Sequence, residues 1–485
     1  MKSTGKRFLR AVIATSVVVL LSACGGGGGG GGGGSGSGSG SSTPAPSVTL
    51  SFSQPKIAAG QSSTLTWTST NAASCTASGA WSGAQGTSGT ATETPGSGGA
   101  QTFTLTCSGA GGQTTQSATL VVPIPVQASS YLNKIAAANA LGAQPLPAEV
   151  TAGNAVAFGD FFQDGTYSMV THTCGDTNCG ANGSNGTIHF YKMINGQWLD
   201  HTSDILSNNV GCLHPRKAIV ADFNGDGKPD VLFACHGLDQ SPFPGEAMHM
   251  LLSQSDGTYK NVQVTDSSGT PFTGFFHSAS AADFNGRGFD DVVVVDNVTA
   301  GTPYFLKNNG DGTFAKDTRL PAVVPYSTTG TPPVLPCTSN CLGAGIFTAE
   351  LIDFNNTGKF DLFLGGNTPD TTMSGNWVPT IFKNNGNNTY SQSNVSALPY
   401  DSTHPTVTLD VLSINGVVYT TSTSLNASGS YYGFSEIQKI VGSNLSPIWV
   451  GNKSFSNGST WINWIIPYQG KIDSLNSAYG VSVAE

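Results

Sequence analysis

The chain has 485 residues, 10% of them charged and 38% hydrophobic, with 20 basic against 29 acidic residues and 63 glycines. An acidic chain without a run of Lys or Arg lacks the clustered cations that phosphate contacts need, which argues against a nucleic-acid partner. Low charge, abundant Gly, Ser, Thr and Asn, and the lack of heptads or long amphipathic patterns point to an all-β exported protein.

Lys2, Lys6, Arg7 and Arg10 precede an apolar run from Ala11 to Leu21 that is too short to span a bilayer, so residues 1–23 read as a signal peptide. The run ends in Leu21-Ser22-Ala23-Cys24, which resembles the lipobox of bacterial lipoproteins. The resemblance implies cleavage before Cys24 and acylation of its sulfur, with the membrane contacted only through that anchor. Gly25 follows, with no Asp to signal inner-membrane retention, so the expected address is the outer membrane of the cell envelope. Plain secretion with a spare cysteine is the alternative. Four basic residues leave with the leader, so 16 face 29 acidic ones and the net charge is −13.

Residues 24–46 comprise the lipidated cysteine, a glycine run, Ser-Gly alternation and Thr-Pro-Ala-Pro, a tether that cannot bury a core. Its coil reach is about 25 Å. Residues 47–122 show alternating stretches such as Val48–Phe52, Ser63–Trp67, Thr102–Thr106 and Ala118–Val122 between Gly and Ser turns, the rhythm of a β-sandwich. The stretch from Thr64-Leu-Thr-Trp67 through Asn71–Cys75 to Leu105-Thr-Cys107 resembles the immunoglobulin-like modules of secreted bacterial proteins, which implies a spacer. Trp67 and Trp81 read as packing residues.

Cys24 aside, eight cysteines remain, an even number that in an oxidising compartment reads as disulfides. Their clustering suggests Cys75–Cys107, Cys174–Cys179, Cys212–Cys235 and Cys337–Cys341. A zinc site is the competing reading.

From 129 to 485 a repeat recurs. Its clearest copy is Ile219–Phe233, followed by Ala281–Val295 and Leu351–Leu364, with fainter copies at Phe158–Ser168 and Leu409–Gly416. Each carries an early aspartate, at Asp160, Asp222, Asp283, Asp353 and Asp410. A polar turn with an aromatic follows the first four at near-constant offset, giving Trp198, Tyr259, Phe314 and Tyr390. Two landmarks in step mark one structural unit repeated.

These residues resemble the FG-GAP and VCBS repeats of integrin-type propellers and many bacterial surface proteins. The resemblance covers 155–395 well and 396–455 weakly, and it implies a four-stranded blade per repeat around a channel. The expected fold is therefore all-β, an immunoglobulin-like sandwich followed by a propeller of six blades, with seven left open. The two ends of the repeat region are expected to complete the sixth blade together.

Asp222-x-Asn224-x-Asp226-Gly227-Lys228-x-Asp230 places oxygens at positions 1, 3, 5 and 9, with the Lys228 carbonyl at 7 and a glycine at the bend. That is the donor pattern of a Ca²⁺ loop. Asp353, Asn355, Thr357, Lys359 and Asp361 form a weaker version. Arg287 stands at position 5 of the Asp283 copy, where its cation replaces the metal, and Phe162 and Ser168 spoil the Asp160 copy.

Superposed repeats place Asn154, Arg216, His277, Phe347 and His404 before the first aspartate, and His172, His236, Asp296 and Asn367 after the second strand. Both sets belong on the face opposite the loops, where Arg216, His277, His404, His172, His236 and Asp296 form a candidate ligand site. The leading reading is a non-catalytic surface recognition or adhesion protein whose partner is an extracellular glycan or a surface protein. A polysaccharide hydrolase or lyase, and an envelope scaffold, are the alternatives; paired carboxylates at the rim and a GxSxG nucleophile motif are lacking.

Overall fold

A computed structural model describes residues 43–141, 155–175, 183–238, 240, 242–296, 303–320, 345–368, 377–424, 435–450, 465–468, 471–474 and 482–484. The leader, Cys24, nearly all of the tether, Asn154, Cys179, Cys337 and Cys341 lie outside them.

The first domain is a β-sandwich. One sheet holds Ser47–Phe52, Ser63–Thr70 and Ser88–Glu93, and the other holds Gly83–Gln85, Ser74–Gly79, Gly99–Gly109 and Gly112–Val122. Alternation turns Leu50, Phe52, Leu65, Trp67, Phe103, Leu105, Leu120 and Val122 inward. Trp67 and Trp81 meet edge to face at 5.1 Å, as packing residues. Cys75 and Cys107 stand directly opposite each other on neighbouring strands, so their disulfide ties one sheet and does not join the two.

Six sheets of a β-propeller follow among the described residues. Blades 1 to 5 are built on four-stranded antiparallel meanders that begin with inner strands Ala155–Gly159, Pro215–Ala221, Phe276–Ala282, Ile346–Ile352 and Thr406–Ile414, and blade 3 gains a fifth, outer strand, Thr265–Asp266, parallel to Thr313–Asp317. Blade 6 comprises Ile465–Tyr468, Lys471–Ser474 and Ser482–Ala484. Inner strands of blades 1 to 3 are buried almost throughout, because each is covered on both faces. Large apolar side chains pack between blades; Phe233, Phe305, Phe363 and Phe382 are fully buried.

The sequence pattern did not anticipate what fills the axis. Residues expected to lend a strand to blade 6 instead form helix α1, Ser130–Leu141. Ser129 Oγ accepts the Leu132 amide at 3.2 Å and caps it. The helix ends in Ala-Ala-Ala-Asn-Ala-Leu, strong helix formers that are also thin. Ala137 and Ala138 fit without exposure against Val156 and Phe158 of blade 1. Asn133 donates to Val220 O of blade 2 at 2.9 Å, Ser130 bonds Ser280 of blade 3, and the Tyr131 hydroxyl donates to Ser413 O of blade 5 at 3.1 Å. Tyr131 and Ile135 also pack with Ile465 of blade 6. Its exposed positions include the apolar Leu132, at 41%, while its buried ones include Asn133 and Lys134, and so it shows no amphipathic period.

Four buried charges hold it there. Lys134 Nζ lies 3.0 Å from Asp410 and 4.0 Å from Glu350, and Lys217 Nζ lies 2.8 Å from Glu350. Ser280 Oγ donates to Glu350 at 2.6 Å and the Ile465 amide donates to Asp410 at 2.9 Å. This corrects the weakest repeat copy: Asp410 is no loop residue but sits within the inner strand Thr406–Ile414, and its blade turns at Asn415-Gly416, both at positive φ.

The sandwich is fastened to blade 1. Ile124 N–H donates to Asp160 Oδ2 at 2.9 Å, and a Cβ on Gly165 would come within 2.6 Å of the Gly99 backbone. At blade 3, Asp283 N–H donates to Ala128 O at 3.0 Å. The connector thus crosses the loop face before α1 enters the axis.

Replacing Lys134 by alanine strands the Asp410 carboxylate, and a loss of about 3–5 kcal/mol is expected in denaturant unfolding. The double variant Lys134→Met/Asp410→Leu leaves no orphaned charge there and should regain much of that loss.

Candidate functional site

On one face of the propeller the repeated aspartates act as backbone staples. Asp160, Asp222, Asp283 and Asp353 each accept two loop amides: from Asp164 and Gly165, Gly225 and Gly227, Arg287 and Gly288, and Thr357 and Gly358, all at 2.6–2.9 Å. The glycines Gly165, Gly227, Gly288 and Gly358 have φ of 77°, 77°, 81° and 73°, a region that side chains disfavour. The later aspartates staple the second strand to the end of the third: Asp230 accepts Ser253 N–H at 2.7 Å, and Asp291 and Asp361 accept Asn308 and Asn384 N–H at 2.8 Å. Outer aromatics close the unit, with Tyr259 donating to Pro229 O at 2.7 Å and Tyr390 to Phe360 O at 2.9 Å. Each loop also serves its neighbour. Phe223 O accepts from Gly312 N–H and Asn308 Nδ2, and Phe284 O from Asn388 Nδ2.

The loops differ in charge. In the Asp283 loop, Arg287 Nη2 lies 2.6 Å from Asp291 and Arg319 Nη2 lies 2.7 Å from it, so cations from the protein already answer that carboxylate. In the Asp222 loop three carboxylates share one ammonium, Lys228 Nζ, 3.2 Å from Asp226. Burial, with Asp222 adding to it, pushes the Asp230 carboxyl up to about 7. A surplus of hard oxygen donors of this kind fits a divalent cation. In the Asp353 loop the Asp361 carboxyl is also raised, by burial and then by Asp353, and Asn355 Nδ2 donates to it at 3.3 Å. Among the described residues, Cys212, Cys235 and Glu246 bring ligand atoms within 4.8 Å of one another, but the two sulfurs are bonded to each other and do not fit a metal.

The opposite face is built by bulges. Pairing skips one residue at the start of three successive inner strands, between Pro215 and Lys217, Phe276 and Ser278, and Ile346 and Thr348. The skipped residues are Arg216, His277 and Phe347. A bulge re-aims its side chain, and these three join a cluster with His214 and His236. Ring centroids are 4.7 Å apart for His214 and His236, 4.6 Å for His236 and His277, and 4.6 Å for His277 and Phe347, with Phe275 against His236. Arg216 Nη1 is 3.4 Å from His214 Nε2. All three imidazoles are buried, and none of their Nδ1 atoms has a hydrogen-bond partner. Burial first, then Arg216 and neighbouring imidazoles, holds each well below the ordinary histidine range. A dication among these rings would face the guanidinium: two charges near 4 Å repel by about 4 kcal/mol per charge pair at a surface-like dielectric.

The other predicted ligand residues do different work. His172 is a correction. Its Nε2 accepts the Cys212 amide at 2.9 Å and its Nδ1 donates to Thr173 O at 2.9 Å, so both nitrogens are spent on structure. Asp296 accepts the Phe275 amide at 3.0 Å, behind the cluster. His404 stands apart in blade 5, bonded through Nε2 to buried Glu436 near Tyr400 and Asp401. Cys212–Cys235 forms as expected and holds the strand end that carries His236 next to the segment carrying His214. Cys174 is disulfide-bonded, while the other members of the remaining pairs lie outside the described residues. Sequence reasoning missed His214, Phe275 and Glu436; the first two lie two residues before Arg216 and His277, a spacing that strand alternation could have flagged.

No protein-family model matches the chain, and no curated protein matches it. Among solved structures it is similar to the β-propeller domain of a trilobed protease from Pyrococcus furiosus, at 11% identity and a TM-score of 0.29 over 89% of this chain and 93% of that one. A quinoprotein alcohol dehydrogenase-like protein from Bacteroides thetaiotaomicron matches at 8% identity and TM-score 0.24, over 84% and 99%. Carbohydrate-binding modules of the β-sandwich superfamily match at 11% and 0.17, over 46% and 78%. Likenesses this distant carry no functional argument, and the propeller and sandwich stand on the strand order above.

Burial lowers the His172 pKa to about 3, so the unfolded chain binds the extra proton between there and 6.5. Its contribution to stability is complete above pH 6.5 and is lost as pH falls. Raised Asp230 acts in the opposite sense, so variants are needed to separate them. In His172→Gln, stability measured by denaturant melts between pH 4 and 6.5 should lose about 1.4 kcal/mol per pH unit of slope relative to the parent.

Proposed function

We propose that this chain is a lipid-anchored envelope protein of the FG-GAP/VCBS type, in which a calcium-stabilised propeller recognises an extracellular carbohydrate. The observation that carries the reading is the set of three bulges, which bring Arg216, His277 and Phe347 together with two further histidines on one face. Helix α1 fills the axis beneath, so the propeller offers a surface and not a passage. Polar side chains between aromatic rings suit sugar hydroxyls and sugar faces. Cys24 acylation and the glycine tether supply attachment and reach, supported by the lipobox residues. Calcium belongs in the Asp222 loop, held by Asp222, Asn224, Asp226, Asp230 and the Lys228 carbonyl, and more weakly in the Asp353 loop; it supplies charge neutralisation. The clamped connector makes the sandwich a rigid stand for the propeller.

A polysaccharide-degrading enzyme is the second reading, favoured by one observation. His404 is half-exposed and oriented by the buried Glu436, the arrangement of a general base and its positioning carboxylate.

Glycan-array binding and polysaccharide turnover by the exported chain with Cys24→Ser separate the two. Binding without product, weakened by Arg216→Ala, is expected; product formation abolished in His404→Ala would replace recognition with catalysis. Calcium should raise the melting temperature, more at pH 8 than at pH 5.5, because protons compete for the raised Asp230 carboxyl. Asp226→Ala should remove that effect, and a melting temperature indifferent to calcium at both pH values would exclude the site.

A further inference from the structure

We infer that Phe243 is a stacking platform for the face of a neutral sugar ring, beside the bulge cluster. This rests on the recognition reading above and names one contact within it.

Phe243 is costly to the fold in two ways. It is 41% exposed, the one aromatic among the large apolar side chains that stand exposed in the described residues. Its φ is 54°, in the left-handed region, where a bulky side chain is an outlier. It also precedes Pro244, and the residue before a proline prefers extended backbone with negative φ. In return the ring meets Phe275 edge to face, with 5.6 Å between centroids. The surroundings enforce the conformation. A Cβ on Gly237 would come within 2.6 Å of the Gly245 backbone, and one on Gly245 within 2.4 Å of Gly274 O, so three backbone segments are packed with no room for a side chain. The Glu246 carboxylate accepts the Leu213, His214 and Gly237 amides at 3.0–3.2 Å, and Glu246–Ala247 pairs with Thr273–Gly274. At the tip, the Phe243 amide donates to Gln240 O at 2.7 Å, and Pro242 and Pro244 have their own φ fixed by their rings. Strained residues persist only where their surroundings over-determine them, and they gather at ligand clamps.

The ring and its setting decide the occupant. The face of an aromatic ring is electron-rich, so it attracts the C–H hydrogens on the apolar face of a pyranose. Stacking needs one exposed ring and no enclosing cavity. One ring matches one sugar in size, whereas a stable protein interface takes about 800 Å² from each partner. No other exposed large apolar side chain belongs to this segment among the described residues. An anionic lipid surface attracts basic clusters, and this chain carries 29 acidic residues against 20 basic ones. Phe275, which supports Phe243, packs in turn against His236 and His277, so the platform is continuous with the cluster that carries the recognition reading. Because prolines and close-packed glycines hold the ring before a ligand arrives, little conformational freedom is lost on binding.

Calorimetric titration of the full exported chain with galactotriose and cellotriose tests this, beside melting curves and sedimentation with phosphatidylglycerol vesicles. Phe243→Ala should weaken binding of whichever trisaccharide the parent takes by about tenfold, in the range of an aromatic anchor truncated to alanine. Phe243→Trp should keep the affinity and add a sugar-dependent change in tryptophan fluorescence that the parent lacks. Phe243→Asn, whose short side chain tolerates left-handed backbone, should lose the affinity while melting no lower than the parent. A clearly lower melting temperature in Phe243→Asn makes the ring a core contact and overturns the platform. Parent-like affinity in Phe243→Ala also overturns it and leaves glycan recognition standing, whereas a parent silent toward both sugars sinks the two together. Vesicle binding that disappears in Phe243→Ala makes the ring a membrane contact and refutes the sugar assignment.

Discussion

Lys134 meets Asp410, and Lys217 meets Glu350, inside a ring of strands where all four side chains are buried. Ions in such a place must be matched in number and position, because an unmatched one costs several kcal/mol. That requirement fixes more than a pair of contacts. Lys134 belongs to the axial helix, Lys217 to blade 2, Glu350 to blade 4 and Asp410 to blade 5, so the network sets the rotation of the helix and the spacing of three blades at once. With side chains, an α-helix is about 10–12 Å across. Six inner strands close around that thickness, and a run of alanines trims the helix where blade 1 comes nearest.

A filled axis divides the propeller into two working ends. At the loop end, one repeated sentence of residues does local and neighbourly work together: aspartates gather the amides of their own turn, while the adjoining phenylalanine carbonyl accepts from the next blade. These bonds explain why the aspartate persists in the copies of the loop whose other donors have drifted. The first aspartate is a staple whether or not a cation joins it, and Arg287 shows a cation from the chain itself taking the part of a metal. At the other end the same inner strands begin with a bulge, and there the repeats differ: arginine, histidine and phenylalanine occupy equivalent places. The repeats are thus alike at the end whose loops join neighbouring blades and different at the end that carries the bulges.

Electrostatics within blade 2 run in opposite directions over a short length of chain. Burial keeps Asp230 inclined to hold a proton, and it keeps His214 and His236 inclined to lose one. The two sets lie at opposite ends of one blade, whose His214 and His236 segments are joined by Cys212–Cys235.

What the sequence determined by itself is what short stretches of chain determine. Alternation and turn residues wrote the sandwich and the blades, Asp, Asn and Gly at fixed spacing wrote the loops, and equal offsets from those loops located Arg216, His277 and His236 on a common face. Such features depend on neighbours within one hairpin, so their signals survive in one dimension. Only the tertiary structure decided the rest. The helix in the axis had no amphipathic stripe to announce it, since it exposes Leu132 and buries Asn133 and Lys134, and Asp410 passed for a loop aspartate because its partner, Lys134, lies 276 residues away. His172 was indistinguishable from His236 by offset, yet folding gave both its nitrogens to the backbone and left the Nδ1 of His236 unpaired. Which polar groups remain to meet a ligand depends on which ones packing has already used, and packing joins residues that the sequence keeps far apart.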